Sequence, residues 1–249
     1  MWPEILFEEA WNSYYQKNYN RTLGKLVSYK APVFAHIFNP EVEVLNALTY
    51  LKLCLYQDAK KVSDSFRAEN WDSFKQMSQL IKYKKNPEYF YELALSYEQF
   101  NKAPNQLLLK IFGSITNAEP YLDLKVQLKK ALLEYKKVRA KDSSRFKNFL
   151  VKNLQESVSS YKNLIGFFVM GQMRQTYGQL YKAFEGMSYI NLEVLAQRKA
   201  KLYNTDDTSR SRGDIKYIQR NEKQYFWDFN GEFWADELGD YVFALKSEC

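Results

Sequence analysis

The 249-residue sequence has few of the residues that make tight turns, disulfides or catalytic centres. Its 9 glycines and 6 prolines are too few for the many turns of a β-rich fold, so the sequence favours helices. The single histidine, His36, excludes any site that needs two imidazoles, and we predict a packed or loop residue there. Two cysteines cannot form a disulfide framework. We predict Cys54 to be a core residue and Cys249 a free thiol.

Long apolar runs are also missing. The longest, residues 164–171, is far shorter than the ~20 residues that span a bilayer, so we expect no transmembrane segment and a soluble protein. Glu4, Glu8 and Glu9 interrupt the first residues, so no signal peptide is visible. A helical pattern begins at Pro3-Glu4 and is followed by three apolar residues, whereas the terminal helix of a helical-repeat protein needs a polar outer face. We therefore expect Met1 to begin a piece of a longer chain that has upstream repeats.

Sequence motifs of catalysis are absent. The chain has no HExxH or CxxC spacing, no GxSxG elbow, no glycine-rich phosphate loop and no dinucleotide fingerprint. We therefore predict no catalytic residue, no metal and no cofactor. Glu232, Asp236 and Glu237, set among aromatic residues, leave a helical-toroid glycosidase as the least favoured alternative.

Charge leaves a second alternative open. The net charge of +7 comes from 36 basic and 29 acidic residues, which are intermixed. Basic clusters with interleaved tyrosines could bind nucleic acid. They are Lys82, Lys84 and Lys85; Lys129 and Lys130; Lys136, Lys137, Arg139 and Lys141; and Arg210, Arg212 and Arg220. Solvated helix faces with nearby acids explain such clusters more simply, so nucleic-acid binding is disfavoured.

A Pro-Glu dipeptide recurs at Pro3, Pro40 and Pro87, and Asn39 and Asn86 precede the last two copies. Asn caps free amide groups, Pro at the first helical position loses no hydrogen bond, and Glu suits the positive end of the helix dipole. Each dipeptide therefore predicts a helix start. The copies stand 37 and 47 residues apart, which indicates an internal repeat.

Further residues recur in register with the dipeptide. Seven residues after each Pro stands a small residue, which lets a second helix approach closely. The repeated positions are Ala10, Ala47 and Ala94, Tyr50 and Tyr97, Tyr19 and Tyr56, and Ala59. Ala47-Leu48-Thr49-Tyr50 followed by Tyr56-Gln57-Asp58-Ala59 resembles the tetratricopeptide repeat family. The resemblance covers residues 3–116 and departs from the family where the glycine between paired helices is replaced by Lys17, Cys54 and Asn101.

The resemblance implies a helical-repeat solenoid whose concave face binds another protein or a peptide. By the family pattern, the first helix of each pair supplies that face. The implied partner-binding residues are Phe7, Trp11, Tyr14, Val44, Leu45, Leu48, Lys52, Tyr91, Glu92 and Leu95. The family's clamp for C-terminal carboxylates uses basic and amide residues, and the acidic and apolar residues at these positions disfavour that partner.

A helical period also marks residues between the second and third units and residues after the repeats. An apolar stripe from Trp71 to Ile81 predicts a helix inserted between the second and third units. Further stripes predict helices over residues 128–138, 146–168 and 177–195, with a cap at Asp142-Ser143-Ser144. The fold class is therefore all-α: a tetratricopeptide-like solenoid, long antiparallel helices and an aromatic C-terminal cap. The corresponding ranges are 1–117, 118–204 and 205–249.

The last range begins with a polar loop, residues 205–214, and continues with a dense aromatic stretch that includes Trp227, Phe229, Phe233 and Trp234. We expect residues 225–243 to fold back over an apolar face of the long helices; a docking motif for another protein is the alternative. The sequence as a whole predicts a non-enzymatic scaffold or adaptor. Resemblance to large bacterial repeat proteins implies a bacterial assembly, in the cytoplasm or the periplasm.

Overall fold

The structure is a computed structural model that describes residues 3–34, 37–83, 85–100, 106–141, 144–203, 222–223, 225, 231 and 239–249. Within these residues every regular secondary-structure element is a helix, which confirms the all-α part of the predicted class. The helices are α1 Pro3–Tyr15, α2 Tyr19–Tyr29, α3 Glu41–Lys52, α4 Tyr56–Tyr83, α5 Pro87–Phe100, α6 Gln106–Thr116, α7 Glu119–Arg139 and α8 Arg145–Tyr203. A short 3-10 helix, Pro32–Phe34, follows α2.

The Pro-Glu dipeptides start helices, as predicted. α1 begins at Pro3 and α5 at Pro87, whereas Pro40 lies just outside α3 at its N-cap position. The Asn39 side-chain oxygen accepts the N–H of Glu41 at 3.1 Å, and Asn86 accepts that of Glu88 at 3.0 Å. These bonds satisfy amides that have no partner inside the helix.

The first two helix pairs are closed by the same kind of turn. Lys17 and Cys54 have φ values of 61° and 57°. In each turn the following residue donates its N–H to a carbonyl in the last turn of the preceding helix. Asn18 donates to the carbonyl of Ser13 at 2.9 Å, and Leu55 donates to that of Tyr50 at 3.0 Å. This is the Schellman pattern, which favours glycine at the left-handed position. Lys17 and Cys54 therefore both adopt the left-handed conformation at this turn position.

Small residues lie where the repeat predicts helix contacts. Ala10, Ala47, Ala59 and Ala94 each have 0% exposure. α1 packs on α2 and also touches α3, and α2 packs on α3. The first two pairs therefore pack on each other, and Ala10 and Ala47 are fully buried within them.

Two helices are longer than the sequence suggests. The stripe that starts at Trp71 is not an inserted helix, because it continues α4 without a break. The predicted helices over 146–168 and 177–195 are likewise one helix, α8, and its four glycines do not end it. Close packing accounts for one of these glycines: a Cβ at Gly166 would lie 1.9 Å from the carbonyl oxygen of Pro87. The predicted cap is present at Ser144, whose hydroxyl accepts the N–H of Lys147 at 3.1 Å.

The chain divides into two compact units. Unit 1 comprises residues 1–35, 39–69 and 179–249, and unit 2 comprises residues 36–38 and 70–178. α4 and α8 each contribute to both units, so the units cut across the ranges 1–117, 118–204 and 205–249. Their buried residues include Leu6, Leu23, Leu26, Leu45, Leu180 and Ile190 in unit 1, and Met77, Phe90, Leu108, Phe112, Ile165 and Met173 in unit 2.

In unit 1 the end of α8 packs on α3 and α4. The rings of Phe66 and Phe184 lie 5.0 Å apart, and Asn191 donates to the Ser63 hydroxyl at 2.8 Å. In unit 2, Phe74 of α4 stacks on Tyr177 of α8 at 4.8 Å. α7 and α8 meet where Gln155 donates to the Tyr135 hydroxyl at 3.2 Å. None of the described helices has both the length and the apolar character needed to cross a bilayer.

Candidate functional site: the α2 surface and the C-terminal segment

The last described part of the chain, Gly239–Cys249, is extended and lies on unit 1; we call it the C-terminal segment. It begins beside the end of α2, where the Ser28 hydroxyl donates to the carbonyl of Gly239 at 2.6 Å. It then passes the start of α2 and ends at the turn between α3 and α4. The segment therefore runs antiparallel to α2. The surface beneath it, formed by α2 and the α3–α4 turn, is called the α2 surface.

Asn20 holds the backbone of the segment. Its side-chain amide donates to the carbonyl of Leu245 at 3.1 Å, and its side-chain oxygen accepts the Leu245 N–H at 3.1 Å. The backbone carbonyl of Asn20 accepts the N–H of Phe243 at 3.0 Å. Further along, Leu53 accepts the N–H of Glu248 at 2.9 Å. All four bonds use main-chain groups of the segment. Extended peptides are held by main-chain bonds in the same way in many protein–peptide complexes.

Apolar side chains fix the register of the segment. Phe243 and Leu245 are partly buried against a cluster of three leucines, and Tyr19 and Tyr50 pack beside them. The cluster consists of Leu23, Leu53 and Leu55, which are at most 6% exposed. α2 and the α3–α4 turn thus share one apolar floor.

Basic residues of α2 hold the acidic residue of the segment. Arg21 Nη2 lies 2.9 Å and 3.2 Å from the two carboxylate oxygens of Asp240. Lys25 Nζ lies 3.4 Å from Asp240 and 2.9 Å from Glu9. The hydrogen bond to Glu9 raises the pKa of Lys25 most, the nearby charge of Asp240 raises it further, and desolvation partly opposes both. Lys25 therefore stays charged between two carboxylates.

Gly24 allows the segment to approach the α2 backbone. A Cβ at this position would lie 1.7 Å from the carbonyl oxygen of Tyr241, which no side chain can tolerate. Glycine inside a helix costs about 0.5–1 kcal/mol relative to alanine. The helix thus carries a destabilising residue at the place where the segment crosses it.

A disulfide joins Cys54 to Cys249, with 5.2 Å between the Cα atoms, so the prediction of a core cysteine and a free thiol is wrong. The two cysteines stand 195 residues apart. No local spacing marks such a pair, and only the path of the C-terminal segment brings them together.

The predicted aromatic cap overlaps this site only at residues 239–243. These residues contact α2 and, through Phe243, the leucine cluster, so this part of the segment packs on the first helix pairs. Residues 226–230 and 232–238 lie outside the described residues, and with them Trp227, Phe229, Phe233 and Trp234. The cap prediction stays open for those aromatic residues. The same holds for residues 205–214 as a polar loop.

The ten residues predicted to form a concave face differ in exposure. Phe7, Leu45 and Tyr91 are buried, so they belong to the helix core. Trp11, Tyr14, Val44, Leu48 and Leu95 are partly buried, and Lys52 and Glu92 are exposed. Trp11 stacks on Tyr15 at 5.5 Å.

α8 contacts two of these residues. A Cβ at Gly186 would lie 3.0 Å from Val44, so α8 packs directly on that side chain in unit 1. In unit 2, Lys162 of α8 lies 5.4 Å from the ring centre of Tyr91. The chain itself therefore occupies part of the predicted face.

Other predicted positions offer less. Of the basic clusters, Lys82, Lys85 and the six residues of the α7 region are exposed. The remaining predicted residues lie outside the described residues: Lys84, Arg210, Arg212 and Arg220, His36, and the acids Glu232, Asp236 and Glu237. Across the described part of the chain, no three His, Cys, Asp or Glu side chains are grouped closely enough to hold a metal. A shallow depression of about 430 Å³ on α4 is lined by residues of that one helix.

A buried polar cluster joins α5 to α7 in unit 2. The Tyr121 phenol is 2% exposed and hydrogen-bonds to Glu98, which also pairs with Lys125. Burial first, and then the carboxylate of Glu98, raise the pKa of Tyr121. The phenol therefore stays neutral and links α5 to α7 through its hydrogen bond to Glu98.

Residues that hold the C-terminal segment were not predicted from the sequence. Asn20, Arg21 and Lys25 are ordinary surface residues of a helix. Gly24 is the one local signal, because a glycine in the middle of an amphipathic helix indicates close packing. No protein-family model matches the chain, and neither does any curated protein or solved structure.

Proposed function

We propose that the chain is a non-enzymatic scaffold that binds other proteins through its helix pairs. The observation that carries the proposal is the α2 surface, which holds the chain's own C-terminal segment through main-chain bonds, an apolar cluster and an ion pair. Those three elements together are typical of peptide recognition.

The repeated geometry of the helix pairs supports a tetratricopeptide-like arrangement. Both turns have a positive φ at Lys17 and Cys54, and Ala10 and Ala47 are buried at the same repeat position. In that arrangement the first helices of the pairs present a face to a partner. Of the proposed partner-binding residues, Trp11, Leu48, Lys52 and Glu92 keep at least part of their surface exposed. A bacterial assembly is the setting that the resemblance implies.

Site-specific photo-crosslinking in cells of the source organism tests this role. A photoreactive residue at Trp11, Leu48, Lys52 or Glu92 is expected to capture one discrete protein. Ser159, an exposed residue on α8, is the control position. Crosslinks no stronger at the four positions than at Ser159 would contradict a partner-binding face.

One observation favours nucleic-acid binding as the second candidate. Lys129, Lys130, Lys136, Lys137, Arg139 and Lys141 are all exposed on α7 or just after it. Binding through such residues weakens steeply with salt. We expect a random oligonucleotide to bind with the same weak affinity before and after Lys136 and Lys137 are both changed to Ala. Tight binding that this pair of changes removes would favour the second candidate, as would tight binding removed by changing Lys82, Lys84 and Lys85 to Ala.

A further inference from the structure

The C-terminal segment is held in a way that another chain could reproduce. The Asn20 side chain hydrogen-bonds both the main-chain N–H and the main-chain carbonyl of Leu245, and these bonds require no particular side chain at that position. Leu53 accepts a third main-chain N–H further along. Because main-chain groups are common to all peptides, these bonds do not by themselves select the sequence of the segment that they hold.

The side-chain requirements of the α2 surface can be read from the contacts. Arg21 and Lys25 form ion pairs with an acidic side chain, here Asp240. The leucine cluster accepts an aromatic side chain three residues later and an aliphatic one two residues after that, here Phe243 and Leu245. Between the acidic and the aromatic residue, the backbone of the segment lies directly against Gly24, and this contact involves no side chain of α2. The matching sequence is acidic-x-x-aromatic-x-aliphatic in an extended conformation.

We propose that the α2 surface is a binding site for such an acidic-apolar segment of a different protein, and that the C-terminal segment occupies it while the Cys54–Cys249 bond is closed. This inference rests on the proposed scaffold function and names the kind of partner. The ion pair that holds the resident segment is open to solvent, since the side chains of Arg21 and Asp240 are 39% and 59% exposed. Its exposure makes the ion pair weak, so what holds the segment in place is its main-chain hydrogen bonds, its apolar contacts and the disulfide, and of these only the disulfide is covalent.

Opening the site requires a dithiol reductant. One thiolate of the dithiol attacks the sulfur of Cys249, which is exposed; the disulfide breaks and Cys54 leaves as a thiolate that takes up a proton. The second thiol of the dithiol then displaces Cys249, which also becomes a thiol. The reductant ends as a disulfide, and two electrons and two protons have passed to the protein. The non-covalent contacts at Asn20, Arg21 and the leucine cluster are then all that holds the segment on the α2 surface.

A full-length variant with a disabled resident segment tests the site. Asp240→Lys, Phe243→Lys and Cys249→Ser together remove the ion pair, the main apolar contact and the covalent bond. The probe is a fluorescent peptide with the sequence of residues 239–246 and blocked ends. We expect saturable binding by fluorescence anisotropy to this variant, and about tenfold or more weaker binding to the oxidised wild-type chain, because its resident segment has a high effective concentration.

Two matched controls make the test specific. Adding Asn20→Ala to the variant should weaken binding about fivefold or more, since two hydrogen bonds are lost. A peptide with Lys in place of its Asp should also bind more weakly. No saturable binding by a variant whose helical circular dichroism is unchanged would overturn the proposal, and so would equal binding by the oxidised wild-type chain.

Should the triple variant unfold, Cys249→Ser alone serves in the same chain. Excess peptide should then increase hydrogen exchange at Phe243 and Leu245, and unchanged exchange would overturn the proposal. Dimers of this variant that exchange their C-terminal segments would overturn it too, in favour of a second copy as the occupant. Crosslinking at Trp11, Leu48, Lys52 and Glu92 uses other residues, so it distinguishes failure of this site from failure of the scaffold function.

Discussion

Gly24 shows how one residue links a local cost to a tertiary contact. It lies in the middle of α2, where any other residue except proline would form a better helix. The carbonyl of Tyr241 occupies the space in which a Cβ would lie. The contact with the C-terminal segment therefore determines the residue type here. Helix propensity alone predicts the opposite effect of a substitution.

Gly24→Ala is expected to destabilise the protein despite its gain in helix propensity. The new methyl group must push the C-terminal segment away from α2, which removes the bonds at Asn20 and the packing of Phe243. Urea denaturation should show a loss of about 1–3 kcal/mol, the usual range for overpacking.

Gly171→Ala is the matched control, because a Cβ there would meet no atom within 4 Å. It should stabilise the protein by about 0.5–1 kcal/mol through helix propensity. Equal effects of the two substitutions would show that the C-terminal segment does not lie over Gly24.

Tyr121 gives a prediction about alkaline pH. Its pKa is raised by burial and then by Glu98, so the folded protein keeps the phenol proton at a pH where the unfolded chain, with a pKa of about 10, has lost it. Stability from this group is therefore complete below about pH 9 and is lost as the pH rises past about 10. Tyr121→Phe cannot ionise, so it should lose less stability than the wild type between pH 9 and pH 11.

Urea midpoints at several pH values measure this difference. Tyr225→Phe is the control, since Tyr225 is 89% exposed. An identical pH slope for wild type and Tyr121→Phe would contradict the buried position of Tyr121.

In the helices of this chain, the sequence predicts the first residue of a helix better than the last. Pro-Glu with a preceding Asn marks α3 and α5 because the signal is local: a cap bond and a fixed proline φ. The continuity of α4 and α8 has no such signal. Each glycine in α8 disfavours a helix by about 1 kcal/mol, but tertiary packing at Gly166 and Gly186 outweighs that cost.

Ala47→Trp and Ala94→Trp test the packing of the helix pairs. Both alanines are fully buried, so an indole must displace a neighbouring helix. Each change should cost at least about 1–3 kcal/mol in thermal or urea denaturation. Ala68→Trp is the matched control, because Ala68 is exposed on α4. A melting temperature unchanged in both buried variants would contradict the repeat assignment.

For the whole molecule, the least predictable feature is the return of the C-terminal segment to α2. Asn20 and Leu245 are distant in sequence, and neither belongs to a periodic pattern. The disulfide is equally hidden, since two cysteines at any separation look alike in the sequence. Long-range pairing of this kind depends on the path of the chain, which composition and periodicity do not encode.

Cys249→Ser tests the covalent connection. A disulfide stabilises mainly by restricting the unfolded chain, and this one closes a loop with a separation of 195 residues. The substitution should lower the free energy of unfolding by about 2–5 kcal/mol under oxidising conditions. Cys54→Ser should give a similar loss, and a reducing agent should affect the wild type but neither variant. A wild-type protein indifferent to reduction would show that the bond is not closed.

Hydrogen exchange of the oxidised full-length chain tests most directly whether the α2 surface binds an extended peptide. The amides of Phe243, Leu245 and Glu248 donate to α2 or to the α3–α4 turn, so their exchange should be slowed relative to an unstructured peptide. Asn20→Ala should speed the exchange of Leu245 most, because its acceptor is the Asn20 side chain. Exchange of all three amides at the unstructured rate in the oxidised wild type would contradict the account.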